Sequence, residues 1–282
     1  LPVTVPIIAN NVAEATENYT VDLSNIVCSG SNSFTDNQGL GTILDDDAYT
    51  ITLAGFDVTE TDGDLAHNFV ATMSGTAQHN VVLSFTTTNG SAVASDFTGQ
   101  TAQSYTILAG QTSVNIPVTV LGDQVAEAIE SFTGAITISN ANAQQITIAS
   151  GSATGTITDD DAYTITIAGI DVNETDSDVP HNFVATMTGA AQSDVILSFS
   201  TTTGTAVASD FTGQTAQSYT ILAGTTSVNI PVTVLGDQIA EAVETFTGTI
   251  SITNDNSQPI TISSGTATGR ITDDDAYTIS LA

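Results

Sequence analysis

Three adjacent carboxylates recur in this chain of 282 residues, within the stretch Asp-Asp-Asp-Ala-Tyr-Thr-Ile at 45–51, 159–165 and 273–279. Each copy follows an alternating apolar run and opens another. Asp45, Asp46 and Asp47, then Asp159, Asp160 and Asp161, then Asp273, Asp274 and Asp275, therefore sit where one strand ends and the next begins. Carboxylates this close repel by roughly 4 kcal/mol per pair at an effective dielectric near 20. The chain holds a single basic residue, Arg270, to offset that repulsion, so the partner such a set calls for is a bound cation. Further acids lie at Asp57, Glu60, Asp62 and Asp64, at Asp96, and at Asp123, Glu127 and Glu130, and few lie between these groups. Oxygen donors without His or Cys suit a hard ion. Ca²⁺ takes about 6 to 8 oxygens at about 2.3–2.6 Å, whereas Mg²⁺ keeps its waters and fits a carboxylate-rich cage less well. So many carboxylates are enough for two or more ions.

The elements that must position these acids repeat with them. Ala48, Ala162 and Ala276 open the same Ala-Tyr-Thr-Ile motif, a period of 114 residues (162 minus 48, 276 minus 162). A period this long is one small domain and exceeds any short solenoid repeat. The chain divides into the last part of a repeat at 1–47, complete repeats at 48–161 and 162–275, and the first strand of another at 276–282. In the partial copy Pro2-Val3-Thr4-Val5 matches Pro117-Val118-Thr119-Val120, and Glu14 and Glu17 match Glu127 and Glu130. Within a repeat, Val114, Ile116, Val118 and Val120 alternate with small or polar residues, as do Val81, Leu83 and Phe85, and a period of 2 marks half-buried strands. Strands are predicted near 48–55, 65–74, 80–88, 104–108, 113–121, 131–139 and 145–158. Seven strands in about 110 residues fit an all-β, immunoglobulin-like sandwich, and the array is tandem sandwiches joined end to end.

If these strands run alternately up and down, the loops holding Glu60, Asp96, and Asp123 with Glu127 share one pole with the exit at Asp159, Asp160 and Asp161. The second repeat carries the same set, Glu174, Asp210, Asp237, Glu241 and Asp273 to Asp275, and keeps Asp171, Asp176 and Asp178 nearby. The connections between the second and third and between the sixth and seventh strands of the following repeat should face this pole, with Asp194, in the first of these loops of the second repeat, as the acid to reach across.

Composition excludes several classes. With 31 Asp and Glu against one basic residue the net charge is −30, which opposes nucleic acids, anionic membrane surfaces and acidic substrates. Hydrophobic residues make up 40%, so the chain can build cores, and no run is long enough to cross a membrane as a helix. Cys28 is the one cysteine and reads as an inert thiol without a disulfide partner. No basic and apolar leader precedes the alternating pattern at Leu1, which reads as internal to a longer protein. Catalysis finds no support: no activated nucleophile with a base is in evidence, and paired acids repeated in every unit without an aromatic platform make a poor glycosidase. His67, His79 and His181 read as structural or surface residues.

In both repeats the order of motifs resembles the Calx-β domain: Ser95-Asp96-Phe97-Thr98-Gly99, Ile107-Leu108-Ala109-Gly110, Gly122-Asp123-Gln124-Val125-Ala126-Glu127, then Gly155-Thr156-Ile157-Thr158 before the triplet. The resemblance implies a Ca²⁺-binding sandwich of the kind known from a sodium/calcium exchanger and common in long bacterial adhesins. It implies Glu60, Asp96, Asp123, Glu127 and Asp159 to Asp161 as ligands with Glu130 outside them, and their matches Glu174, Asp210, Asp237, Glu241 and Asp273 to Asp275, and Glu14 with Asp45 to Asp47. Gly122, Gln124 and Ala126 stand where regulatory members carry acids, which implies fewer ions or weaker sites, and the partial copy has Asn10 and Asn11 near the place of Asp123. The expected role is structural: a non-enzymatic segment of a secreted surface adhesin or gliding-motility filament. Its partners are calcium ions, the neighbouring repeats and an unnamed adhesive target. The alternatives are a Ca²⁺-sensing regulatory module of a membrane protein, or a carbohydrate- or ligand-binding module using Phe97 and Tyr105, with Phe211 and Tyr219.

Overall fold

A computed structural model describes residues 2–25, 27, 29–30 and 33–280. Leu1, Cys28 and the last two residues of the expected 276–282 strand lie outside the described residues. Every regular element among those described is a strand. The partial copy holds β1 (Val12–Ala13), β2 (Glu17–Asp22) and β3 (Gln38–Ile43). The first full repeat follows with β4 (Tyr49–Ala54), β5 (Phe56–Thr59), β6 (Leu65–Met73), β7 (Thr76–Ala77), β8 (Val81–Asn89), β9 (Gln103–Ile107), β10 (Ser113–Val120), β11 (Glu130–Asn140), β12 (Ile146–Ser150) and β13 (Ser152–Thr158). The second holds β14 (Tyr163–Ala168), β15 (Ile170–Asn173), β16 (Val179–Met187), β17 (Val195–Thr203), β18 (Gln217–Ile221), β19 (Ser227–Val234), β20 (Glu244–Asn254), β21 (Ile260–Ser264) and β22 (Thr266–Thr272). Residues 276–280 form no strand. Tyr163–Ala168, the matching strand, is laddered by β16 and β21 of its own repeat.

Each full repeat is a sandwich of a four-stranded and a five-stranded sheet, ordered β10-β6-β4-β12 and β5-β13-β11-β8-β9, then β19-β16-β14-β21 and β15-β22-β20-β17-β18. The expected count of seven strands is corrected to nine in each sandwich: the segment predicted at 145–158 divides into β12 and β13 in different sheets, and β5, beyond the strand predicted at 48–55, carries the chain on from β4 into the opposite sheet. The physical reason is a close crossing. A Cβ on Gly55 would lie 1.8 Å from the carbonyl oxygen of Thr154, and one on Gly169 would lie 1.9 Å from that of Thr268. Only glycine lets the chain leave the first sheet there and pair in parallel along the last strand, as β15 does with β22. Alternating hydropathy marks extended chain but is blind to such a change of sheet.

Inward residues of both sheets fill one core per repeat, and over Val81–Thr86 of β8 buried and half-buried positions alternate as period 2 demands. Four phenylalanines, Phe69, Phe85, Phe97 and Phe132, are fully buried in the first core, matched by Phe183, Phe199, Phe211 and Phe246 in the second. Phe97 stacks on Phe132 with ring centroids 3.8 Å apart, and Phe211 on Phe246 at 3.9 Å. That burial removes Phe97 and Phe211 from any ligand platform. Tyr105 and Tyr219 likewise give their hydroxyls to Gln100 and Gln214. The chain forms two compact units, one of residues 1–58, 64–121 and 130–157, the other of residues 59–63, 122–129 and 158–282.

Candidate metal centre

The Asp triplets build one turn three times. The first aspartate takes the backbone N–H of the third on one oxygen: Asp47 to Asp45 at 3.4 Å, Asp161 to Asp159 at 3.0 Å and Asp275 to Asp273 at 2.9 Å. Its other oxygen takes the N–H of the loop glutamate, Glu14 to Asp45 at 2.8 Å, Glu127 to Asp159 at 2.7 Å and Glu241 to Asp273 at 2.6 Å. The strand exit and the acidic loop are thus pinned together by main-chain donors, which fix the direction of the carboxylate. Within the loop a second turn recurs, Val125 N–H on Asp123 and Ile239 N–H on Asp237. Asn10 makes the same bond to Val12 in the partial copy, so its amide keeps the loop's shape while contributing no charge.

The second repeat shows how the remaining acids converge. Glu174, 5% exposed, follows β15 and is anchored by its own N–H on Thr272 O, while its carboxylate accepts the N–H of Asp237 at 3.1 Å. Asp210, 4% exposed, is clamped by the N–H of Val207 at 2.7 Å and the hydroxyl of Ser209 at 2.6 Å. The next residue is Phe211, which pairs with Val234 and stacks in the core. The Ser-Asp-Phe motif works in this way: the ring anchors the loop so that the carboxylate is held at the pole. In the first repeat Asp96 is clamped identically by Val93 and Ser95.

Carboxylate oxygens gather into groups lying within 4.8 Å of one another: Asp45 with Asp46 and Asp47, Asp159 with Asp160 and Asp161, Asp210 with Glu241 and Glu244, and Asp176 with Asp274 and Asp275. In the first repeat Asp96 and Glu130 are similarly close, and Glu60 and Glu127 are buried at 6% and 7% exposure. The middle residues Asp46, Asp160 and Asp274 are exposed. Three acids of these groups, Glu130, Glu244 and Asp176, fall outside the ligand set expected from the sequence. Glu244 matches Glu130, which had been placed outside the ligands, and Asp176 was one of several loop acids with nothing local to distinguish it. Asp194 does not reach across to another repeat: its carboxylate takes the N–H of Ala223 and its carbonyl the amide of Asn256, both in its own repeat. Arg270 pairs with Asp171 at 2.7 Å and stands outside these groups.

Electrostatics mark the cost of the arrangement. Burial, a shared hydrogen bond with Asp210 and the charges of Asp210, Glu241 and Glu174 push the Glu244 carboxyl up to about 7. Asp161 and Asp275 are raised by burial and by the acids around them, Asp159, Asp160, Asp62 and Asp123 for the one, Asp176, Asp273, Asp274 and Asp237 for the other. Burial and neighbouring acids also raise Glu174 and Glu241. Asp273 is lowered by the N–H groups of Asp275 and Glu241. Asp210 is lowered too: burial works to raise it, and bonds from Ser209, Val207 and Glu244 outweigh that. One oxygen each of Asp161, Glu244 and Asp275 is shielded from solvent with no hydrogen-bond donor. Buried acceptors without donors, in groups of one charge sign, are what a cation satisfies.

The sequence profile of the Calx-beta domain matches residues 1–47, 45–161 and 163–275. A search of curated proteins found no match. Among solved structures, CBD12 from CALX1.2 is similar at TM-score 0.36 and 17% identity over 79% of this chain and 100% of that one. The calcium binding domain CBD12 of CALX1.1 is similar at TM-score 0.34 and 18% identity over 78% and 99%. The apo form of the Calx CBD1 domain aligns at TM-score 0.35 and 19% identity over 41% and 100%. With its profile matched along nearly all of its length, the chain belongs to the Calx-beta domain family.

Proposed function

We propose that this chain is a non-enzymatic, calcium-binding segment of a long secreted surface protein, an adhesin or gliding-motility filament in which ions at the repeat junctions stiffen the array. The observation carrying this reading is the position of the buried, donor-less oxygens of Asp161 and Asp275. Each belongs to a triplet that closes one repeat, and after Asp161 the first strand of the next, β14, begins within two residues. An ion there ties the strand exit to the acidic loop and removes the repulsion among acids in one step. The expected ligands are Glu174, Asp210, Asp237, Glu241 and Asp273 to Asp275 in the second repeat, joined by Glu244 and Asp176. In the first they are Glu60, Asp96, Asp123, Glu127 and Asp159 to Asp161, and in the partial copy Glu14 and Asp45 to Asp47. The two acid groups of the second repeat suit two ion positions. Extracellular modules bind with Kd of roughly 10⁻⁴ to 10⁻³ M, matched to calcium outside cells.

The test is thermal unfolding and small-angle scattering of the chain in excess chelator, in millimolar Ca²⁺ and in millimolar Mg²⁺. The proposal expects a large Ca²⁺-specific rise in melting temperature and a narrowing of the scattering to one extended form. A chain indifferent to calcium in both measurements refutes it.

A further inference from the structure

The acidic loop of each repeat is docked against a turn of the following one by the same contacts in two places. Within the second unit, the N–H of Gln192 bonds Ala126 O at 3.0 Å, and the hydroxyl of Tyr163 bonds Gln124 O. The amide Nε2 of Gln192 then bonds Glu127 Oε1 at 2.7 Å. Within the first unit, Gln78 N–H bonds Ala13 O at 2.9 Å, Tyr49 bonds Asn11 O at 2.7 Å, and Gln78 Nε2 bonds Glu14 Oε1 at 3.2 Å. The tyrosine ring lies over a glycine of the turn, since a Cβ on Gly75 or Gly189 would fall 2.2 Å from it. Ala13 and Ala126 are fully buried by the docked turn.

From the recurrence of the same glutamine-to-glutamate bond at both joints we infer that Gln192, and Gln78 in the joint before it, is a positioning residue for the calcium site of the preceding repeat. The inference rests on the calcium reading above. The glutamine is neutral and donates to one oxygen of the loop glutamate. It therefore holds that side chain in one orientation without adding a cation that would compete with an ion. Partners of this kind typically change metal affinity by 10- to 100-fold when removed. Docking of a repeat thus raises the affinity of the site before it, and ion binding in turn tightens the docking, because such coupling is reciprocal.

The experiment is calorimetric calcium titration of the full chain, with melting in chelator measured in parallel, for the wild type, Gln192→Leu, Gln78→Leu and Tyr163→Phe. Each glutamine variant should lower one class of sites about tenfold or more and leave the others unchanged. Tyr163→Phe loosens the same joint without touching Glu127, so it should lower the chelator-state melting temperature and shift affinity less than threefold. Unchanged affinity in both glutamine variants overturns the inference, as does an equal loss in Tyr163→Phe, which would make the glutamine a docking contact only. A wild type that binds no calcium defeats the functional proposal itself and is recognised before any variant is compared.

Discussion

Replacing Glu244 by Gln tests the electrostatic argument at the group where it is most exposed to failure. The carboxyl has a native pKa of about 7 against an ordinary 4.5. The folded chain therefore keeps a proton that the unfolded chain has released, and stability falls as pH rises between these values, being fully present below 4.5 and lost above 7. The difference, 7 minus 4.5, corresponds to about 3 kcal/mol. Screening at this partly exposed carboxyl reduces that to about 2 kcal/mol. In chelator at pH 8, Glu244→Gln should stabilise the second repeat by that amount, roughly 8 °C at about 4 °C per kcal/mol. The wild type should gain stability from pH 8 to pH 5 while the variant stays nearly flat. In millimolar calcium the order should reverse, because the variant has given up a charged oxygen. The assay is circular dichroism melting across pH with and without calcium. A variant that is less stable than wild type in chelator at pH 8, or that keeps the wild-type pH slope, refutes the claim that these acids oppose one another.

Asp210→Asn should abolish the calcium-dependent melting shift of the second repeat while leaving that of the first, read by differential scanning calorimetry. Phe246→Ala should cost about 3–5 kcal/mol. It should also weaken calcium at the same repeat, since Phe246 supports Phe211 and through it Asp210; chelator-state melting and titration together check both parts. Gly169→Ala should prevent the chain from crossing between sheets, because a Cβ would meet Thr268 O at 1.9 Å. Its second repeat should show no cooperative transition even in calcium.

The local pattern of residues was enough for the all-β reading, the period and most of the acidic set. Alternation in segments such as 81–85 and 114–120 is a property of the strand itself, and the triplets announce themselves by composition. Asx turns such as those at Asp123 and Asp159 are also local, which is why Asn10 could keep one. Contacts across the fold were out of reach. That Gly55 and Gly169 let a strand change sheets depends on where Thr154 and Thr268 pass, 99 residues on in each case (154 minus 55, 268 minus 169). That Glu244 joins Asp210 and Glu241, and Asp176 joins Asp274 and Asp275, depends on loops brought together at one pole by strands far apart in sequence. The sequence points to Asp194 as the acid reaching across to this pole, whereas the side chain that bonds Glu127 is Gln192, a neutral donor whose contact exists only once the turn has docked. Sequence reports the chemistry each residue carries; which charges share a site is decided by packing, because electrostatic and hydrogen-bonding energies depend on distances that only the folded chain defines.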